Sequence, residues 1–311
     1  MERRGRVILE RSERQALIFR QRANLITICE VEVDMGLENE AKEFYEKYRQ
    51  RYLDNRQRFS NSFNKTFAEK KDWIARASYQ PYKWLVIVPL LITTTLICGI
   101  FAIIIGLLVS KRAGSFCGVI WAKINSFFTP MTVNVIGAEN IEPGTSYVIA
   151  SNHQSQYDIF VLYGWLGVDF KWVMKKELEN VPVLGFACKV LGHIYIDRSQ
   201  TKSAVKTINT AKAKIVNGTS VLFFPEGTRS DDGKIQPFKK GAFKFAIDLG
   251  IPILPVTING TGKVLPKGSL DLMPGGATMI IHKPISIKDY HEENMFELMD
   301  TTRMIINASL D

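Results

Sequence analysis

Charge disappears from one long stretch of this chain and is dense on either side of it. Residues 84–110, WLVIVPLLITTTLICGIFAIIIGLLVS, contain no Asp, Glu, Lys or Arg. As a helix rising about 1.5 Å per residue, the stretch reaches roughly 40 Å, longer than the ~30 Å hydrocarbon core of a bilayer. It starts too far along the chain for a signal peptide and no small-residue cleavage site follows it. Just beyond, Val119, Ile120, Trp121, Ile124, Phe127 and Phe128 fall on one helical face. Residues 84–130 are therefore expected to form a membrane-embedded helical anchor, either a single span or a helical pair held in one leaflet. Lys83 on one side and Lys111 with Arg112 on the other leave its orientation undecided by charge.

Upstream, residues 1–83 are a charged arm without an assigned role. Between 38 and 71, Phe44, Tyr45, Tyr48 and Tyr52 recur at helical spacing among charges of both signs, which reads as a solvated helix or a juxtamembrane arm. Residues 1–34 show no periodicity, and Met35 is an alternative start.

After Pro130 the pattern changes to short β-branched runs separated by helical stretches. Strands are expected at 132–137, 146–150, 170–174, 193–196, 220–224, 253–258 and 277–281. Helices are expected at 203–217, where Val205, Ile208 and Ile215 share a face before Gly218, at 241–249 and at about 291–308. This alternation specifies an α/β domain over 131–311, with a mainly parallel mixed sheet flanked by helices. No internal repeat or low-complexity segment interrupts it.

Composition narrows the partners. The chain has 311 residues and a formal charge of +9, which favours an anionic substrate or lipid surface or simply maintains solubility. The basic residues are scattered and accompany a membrane segment, which argues against nucleic acid. Cys29, Cys98, Cys117 and Cys188 lie far apart without a C-x-x-C pair, so neither a metal site nor a disulfide framework is indicated.

Three short stretches could carry chemistry. NHQSQYD, Asn152 to Asp158, follows an expected strand and holds His153 five residues before Asp158. That spacing alone is close to coincidence, but loops at the carboxyl ends of strands are where open α/β sheets bind ligands. A histidine held by a carboxylate is suited to removing a proton from a hydroxyl at neutral pH. Ser155 is not in a G-x-S-x-G elbow and is not read as a nucleophile. FPEGTRS, Phe224 to Ser230, also follows a strand; its turn residues and Arg229 suit a phosphate, and the alternative is a plain surface turn with a local Glu226–Arg229 pair. FKKGAFKFA adds Lys239, Lys240 and Lys244 near a helix start. NGTGK, 259–263, imitates part of a P-loop, but Thr257 and Val264 stand where that motif needs Gly and Ser or Thr.

Together these stretches resemble the glycerolipid acyltransferases, and within them the 1-acyl-sn-glycerol-3-phosphate acyltransferases, over roughly residues 84–285. Asn152, His153, Ser155 and Asp158 match an N-H-x-S-x-x-D block. KKELENVPVLGFACKVLGHIYIDRS resembles a second block at Lys175, Glu177, Leu178, Pro182, Gly185, Gly192, Ile196, Asp197 and Arg198. FPEGTRS matches a third, and IPILPVTING resembles a fourth at Pro252, Pro255 and Val256. Residues 1–83 have no counterpart.

The resemblance implies transfer of an acyl group from acyl-CoA or acyl carrier protein to the sn-2 hydroxyl of lysophosphatidic acid, giving phosphatidic acid without metal or cofactor. It makes His153 the base and Asp158 its orienting partner, the acceptor hydroxyl replacing a serine. It places the acceptor phosphate near Glu226, Gly227, Thr228 and Arg229, with Arg229 in contact and Glu226 orienting its surroundings. Lys175 and Arg198 are further cations, Lys176 being the one-residue alternative to Lys175. It also implies a membrane location, in a bacterium the inner membrane, with the catalytic domain on the cytoplasmic face. Another lyso-lipid or glycerol 3-phosphate as acceptor remains an alternative. So does a non-catalytic lipid-binding protein, although binding alone has no need of a base.

Overall fold

The uncharged stretch folds as most of a single helix, α1 (Arg76–Leu108), which begins before the expected boundary at residue 84. Lys83–Ile87 is wound as a π-helical turn directly ahead of Pro89. The proline ring and its missing N–H disrupt the regular i→i−4 ladder there. At the far end Ser110 Oγ accepts the Ala113 N–H and caps the next helix, α2 (Lys111–Phe128).

The two helices form an antiparallel pair. Near the tip, a Cβ on Gly114 would lie 2.8 Å from the Ala102 carbonyl and 3.0 Å from Gly106 Cα, so the backbones meet because glycine allows it. Further back Trp121 Nε1 donates to Thr95 Oγ1 at 3.0 Å, Asn125 Nδ2 donates to Thr94 Oγ1 at 3.0 Å, and Tyr82 Oη donates to the Phe128 carbonyl at 2.9 Å. The second stretch thus packs back along the first as a helix, and among the described residues α1 alone is long and apolar enough to cross a bilayer. Leu85, Ile97, Phe101, Ile104 and Leu108 on α1 and Phe116 on α2 remain exposed, apolar side chains of the kind that mark a membrane or partner contact when they cluster.

This computed structural model describes residues 50–51, 53–54, 57–58, 76–197, 215, 218–230 and 232–311. The chain divides into two compact units, Met1–Ile74 and Ala75–Asp311. Within the first, the described residues are helical. The alternative start Met35, most of the charged arm, Arg198 and the expected 203–217 helix other than Ile215 lie outside the described residues.

In the second unit, seven strands among the described residues form one sheet. They are β1 (Met131–Ile136), β2 (Val148–Ser151), β3 (Phe170–Lys175), β4 (Ile194–Ile196), β5 (Ser220–Phe223), β6 (Ile253–Asn259) and β7 (Gly275–Ile281). Their order is β1-β7-β6-β2-β5-β3-β4. All neighbours pair parallel except β6 and β7, which is the mixed, mainly parallel sheet the sequence alternation specifies. All seven expected strands are present, with ends shifted by up to two residues.

Helices α3 (Tyr157–Trp165), α4 (Leu184–Val190), α5 (Gly241–Leu249), the short α6 (Thr261–Val264) and α7 (Met295–Ala308) complete the domain. The central strands are buried on both faces. Ile149, Leu222 and Leu254 point into a layer with Phe160 and Leu162 of α3, while Val148, Val221 and Ile253 pack with Phe243, Phe245 and Leu298. This alternation makes the strands read as continuous apolar runs. The carboxyl ends of β5, β2 and β6, three adjacent parallel strands, then open at one edge of the sheet.

Candidate active site

Three loops leave that edge, and each contributes to one polar cluster. After β2 the chain runs Asn152-His153-Gln154-Ser155 before α3. Asn152 anchors the loop: its Oδ1 accepts the Ile258 N–H at 2.7 Å and its Nδ2 donates to the Ile258 carbonyl at 2.8 Å. The side chain thus extends the pairing of β2 with β6 beyond the backbone ladder. Ser155 Oγ donates to the Leu265 carbonyl and accepts the Tyr157 N–H at the start of α3.

Asp158, in the first turn of α3, folds back onto this loop. Its Oδ2 accepts from His153 Nδ1 at 2.7 Å and from the Gln154 and Ser155 N–H groups at 2.8 and 2.9 Å. Its Oδ1 accepts from Thr261 Oγ1. The side chain is fully buried, so these donors replace water around the carboxylate. A carboxylate can only accept, so the neutral form of His153 that fits this bond carries its proton on Nδ1 and presents Nε2 as the acceptor. The His153 side chain is 16% exposed and its ring stacks on Phe224 at a 3.8 Å centroid separation and 10°.

The loop after β5 is tied to His153 through the backbone. Glu226 Oε1 accepts the His153 N–H and Oε2 accepts the Gln236 N–H, each at 2.8 Å, while Ser230 N–H donates to the His153 carbonyl at 2.8 Å. Glu226 is only 3% exposed. Burial pushes its carboxyl above the usual range, against the opposing pull of those N–H donors. It therefore faces inward as a strut between two loops, which separates it from the outward residues of the turn with which the resemblance groups it. Gly227 has φ 74°, a left-handed conformation that favours glycine, and a Cβ there would lie 2.7 Å from Lys239 Nζ. Thr228 is exposed and Arg229 half-buried. No carboxylate among the described residues forms an ion pair with the Arg229 guanidinium.

Thr261, the fourth partner of Asp158, comes from NGTGK. Gly260 turns the chain after β6 with φ 86°, where a Cβ would sit 2.2 Å from the Gly276 carbonyl. The residues that fail as a P-loop thus deliver a hydroxyl to the buried carboxylate. Only sequence distance concealed this, since no local pattern links Thr261 to a residue 103 positions earlier.

His153 and Arg229 both line a cavity of about 400 Å³ enclosed by α1, α2, α3, α4 and the sheet edge. Lys175 lines it as well, with its Nζ 3.2 Å from Glu177 Oε1 at the exposed end of β3. Of the two adjacent lysines, Lys175 is the one that faces the cavity. Much of the remaining wall is apolar, with Ala102, Leu184, Leu191 and Trp172. His193 lies there too, its Nδ1 accepting the Trp172 N–H at 3.2 Å. Burial, with the nearby Lys171 charge adding to it, pushes His193 down to about 3, so it is neutral at physiological pH. Among the described residues, no group of three or more His, Cys, Asp or Glu side chains is placed to hold a metal.

Residues 132–259 match the family model described as Acyltransferase. The chain is 39% identical over 177 residues to a chloroplastic 1-acyl-sn-glycerol-3-phosphate acyltransferase of Brassica napus, covering 56% of this chain and 51% of the relative. It is 37% identical over 203 residues to a chloroplastic 1-acyl-sn-glycerol-3-phosphate acyltransferase of Arabidopsis thaliana, covering 65% and 55%. The chain thus spans about half the length of these curated relatives. The crystal structure of the 1-acyl-sn-glycerophosphate acyltransferase PlsC from Thermotoga maritima superposes with a TM-score of 0.63 at 26% identity, over 76% of this chain and 94% of that one.

Proposed function

We propose that this protein, whose residues 132–259 match the family model described as Acyltransferase, moves a fatty acyl group from a thioester to the free hydroxyl of lysophosphatidic acid, forming phosphatidic acid. The carrying observation is the His153–Asp158 pair, whose histidine lines a largely apolar cavity together with Arg229 and Lys175. An acyl thioester on CoA or acyl carrier protein is already activated; the acceptor hydroxyl is the weak reactant. His153 Nε2 takes its proton as the oxygen attacks the thioester carbon, and Asp158 stabilises the imidazolium that forms. Collapse of the tetrahedral species breaks the C–S bond, and the imidazolium returns the proton to the departing sulfur. No metal or cofactor is needed.

Arg229 and Lys175 hold the acceptor phosphate, Arg229 through a planar fork suited to two phosphate oxygens; their place in the lining of the same cavity as His153 supports this. Thr228 and the Gly227 turn lie alongside. Arg198 has the same proposed role. The apolar depth of the cavity takes the donor chain. The α1–α2 pair, with its exposed apolar face, inserts into a membrane from one side and keeps the domain at headgroup depth, where both lipid substrate and product reside. In a bacterial cell that side is the cytoplasmic face of the inner membrane.

The test is a donor-by-acceptor assay on the full chain in mixed micelles, with products identified by mass. Transfer to lysophosphatidic acid, lost in His153→Ala while the unfolding temperature holds, is expected. Equal turnover by His153→Ala would remove the base mechanism. Exclusive turnover of another lyso-lipid or of glycerol 3-phosphate would move the acceptor.

A further inference from the structure

A second cavity, of about 310 Å³, lies on the other side of Trp121. It is formed by the first turns of α1, the start of α3 and the 265–272 loop, with Val88, Leu91, Phe160, Leu265 and Leu272 in its walls. Trp121, Gln156 and Ile159 line both cavities and form their shared wall. That wall is fixed: Trp121 Nε1 is bonded to Thr95, and its ring lies against Phe160 at 4.9 Å. Gln156, three residues from His153, is exposed. Both spaces fall in the size range of small-molecule sites, roughly 300–1,000 Å³.

The loop that closes the second cavity is held deliberately. Lys83, 5% exposed, donates its Nζ to the Leu270 carbonyl at 2.8 Å and lies 4.7 Å from the Trp84 ring centroid. Arg76 forms an ion pair with Asp271. Burying a lysine is costly unless its charge is satisfied, and here the bond it makes fastens 265–272 to α1.

We propose that this second cavity holds the acyl chain that the lyso-lipid acceptor already carries; this rests on the acceptor reading above. The two substrates each bring one long chain, and the product carries both on neighbouring carbons of one glycerol. During transfer the two chains therefore diverge from a single point beside His153. The cavity that His153 lines receives one, and a compartment of similar capacity begins across Gln156. The glycerol crosses that wall, its phosphate toward Arg229, with the Gln156 amide available to the glycerol oxygens. The acceptor chain is thereby sheltered by the protein and does not simply remain among the bilayer lipids.

Two cavity-filling variants, Val88→Phe and Leu91→Phe, test this against a series of lysophosphatidic acids with 1-acyl chains from six to eighteen carbons. The ratio of kcat/KM for the longest acceptor to that for the shortest is expected to fall tenfold or more in at least one folded variant. The preference among donor chain lengths is expected to move less than threefold. In the wild type, an acceptor with a diazirine at its chain terminus is expected to label residues 265–272. An unchanged acceptor ratio in both variants, a shifted donor preference instead, or labelling confined to outward residues such as Ile97 and Phe101 would overturn the assignment while leaving the acceptor reading intact. If wild-type protein prefers glycerol 3-phosphate to every lyso-lipid, the acceptor reading falls and this inference with it.

Discussion

His153 Nδ1 lies 2.7 Å from Asp158 Oδ2, and that same oxygen accepts two backbone N–H groups from the loop carrying the histidine. The carboxylate therefore fixes the imidazole and the backbone around it together. Asp158→Asn presents an amide in place of one oxygen and cannot satisfy all these donors as the carboxylate does. It is expected to lower kcat by about a hundredfold or more, in line with loss of an oriented general base. Steady-state assays alongside a thermal melt separate this from unfolding.

Thr261 holds the other oxygen of Asp158 from a loop on a different strand. Thr261→Val keeps the shape and removes the donor. The expected result is a fall in kcat of about tenfold, equivalent to about 1.4 kcal/mol, with KM for the acceptor little changed. Thr261→Ser is expected to restore most of it, which a merely space-filling role for the methyl group would not produce.

At the cavity mouth, Arg229 is the test of phosphate recognition. Arg229→Ala is expected to raise KM for lysophosphatidic acid about tenfold or more and to have less effect on an uncharged monoacylglycerol. Arg229→Lys is expected to recover only part of the loss, because a point charge replaces a two-pronged donor. A KM within twofold of wild type in Arg229→Ala would relocate the phosphate.

Acid sensitivity is expected to trace in part to His193. Its folded value of about 3 lies below the ordinary 6.5. Between those values the unfolded chain binds a proton that the folded protein excludes, so stability rises with pH through this window and falls on acidification. A single such group contributes a slope of up to about 1.4 kcal/mol per pH unit. Melting temperatures from pH 7 to 4 are expected to drop less steeply for His193→Gln than for wild type, after comparing each protein with its own pH 7 value.

Glu226 offers a stability test of a different kind. Its two oxygens serve N–H groups on two loops, and Glu226→Gln turns an NH₂ group toward one of those donors. A loss of about 1–3 kcal/mol is expected, read as a lower denaturant midpoint, with activity falling because the His153 loop loosens.

Much of this protein is written in local pattern. Seven β-branched runs mark the seven observed strands because the central sheet is buried on both faces, so nearly every strand position selects an apolar residue. The uncharged stretch marks α1, and Pro89 sits where the helix widens. His153, Asp158 and Arg229 are also visible, since loops at strand ends must concentrate the polar residues that a buried sheet excludes. The packing of α2 against α1 was not legible in the same way. It depends on Gly114 meeting Ala102 and Gly106 across a turn, a contact that helical periodicity does not encode.

What the sequence determined by itself is the set of elements and the residue types capable of the chemistry, because burial and backbone geometry act on neighbours. Tertiary structure alone decided their partnerships. Parallel pairing placed the ends of β5, β2 and β6 side by side, and so brought Glu226 to His153, 73 residues earlier, and Thr261 to Asp158, 103 residues earlier, in one polar cluster. It turned Glu226 inward as a strut, selected Lys175 over Lys176 as the lysine lining the cavity, and divided the space beneath the helices into two compartments at Trp121. Those outcomes depend on hydrogen bonds and packing between distant segments, whose free energy exists only once the sheet has assembled.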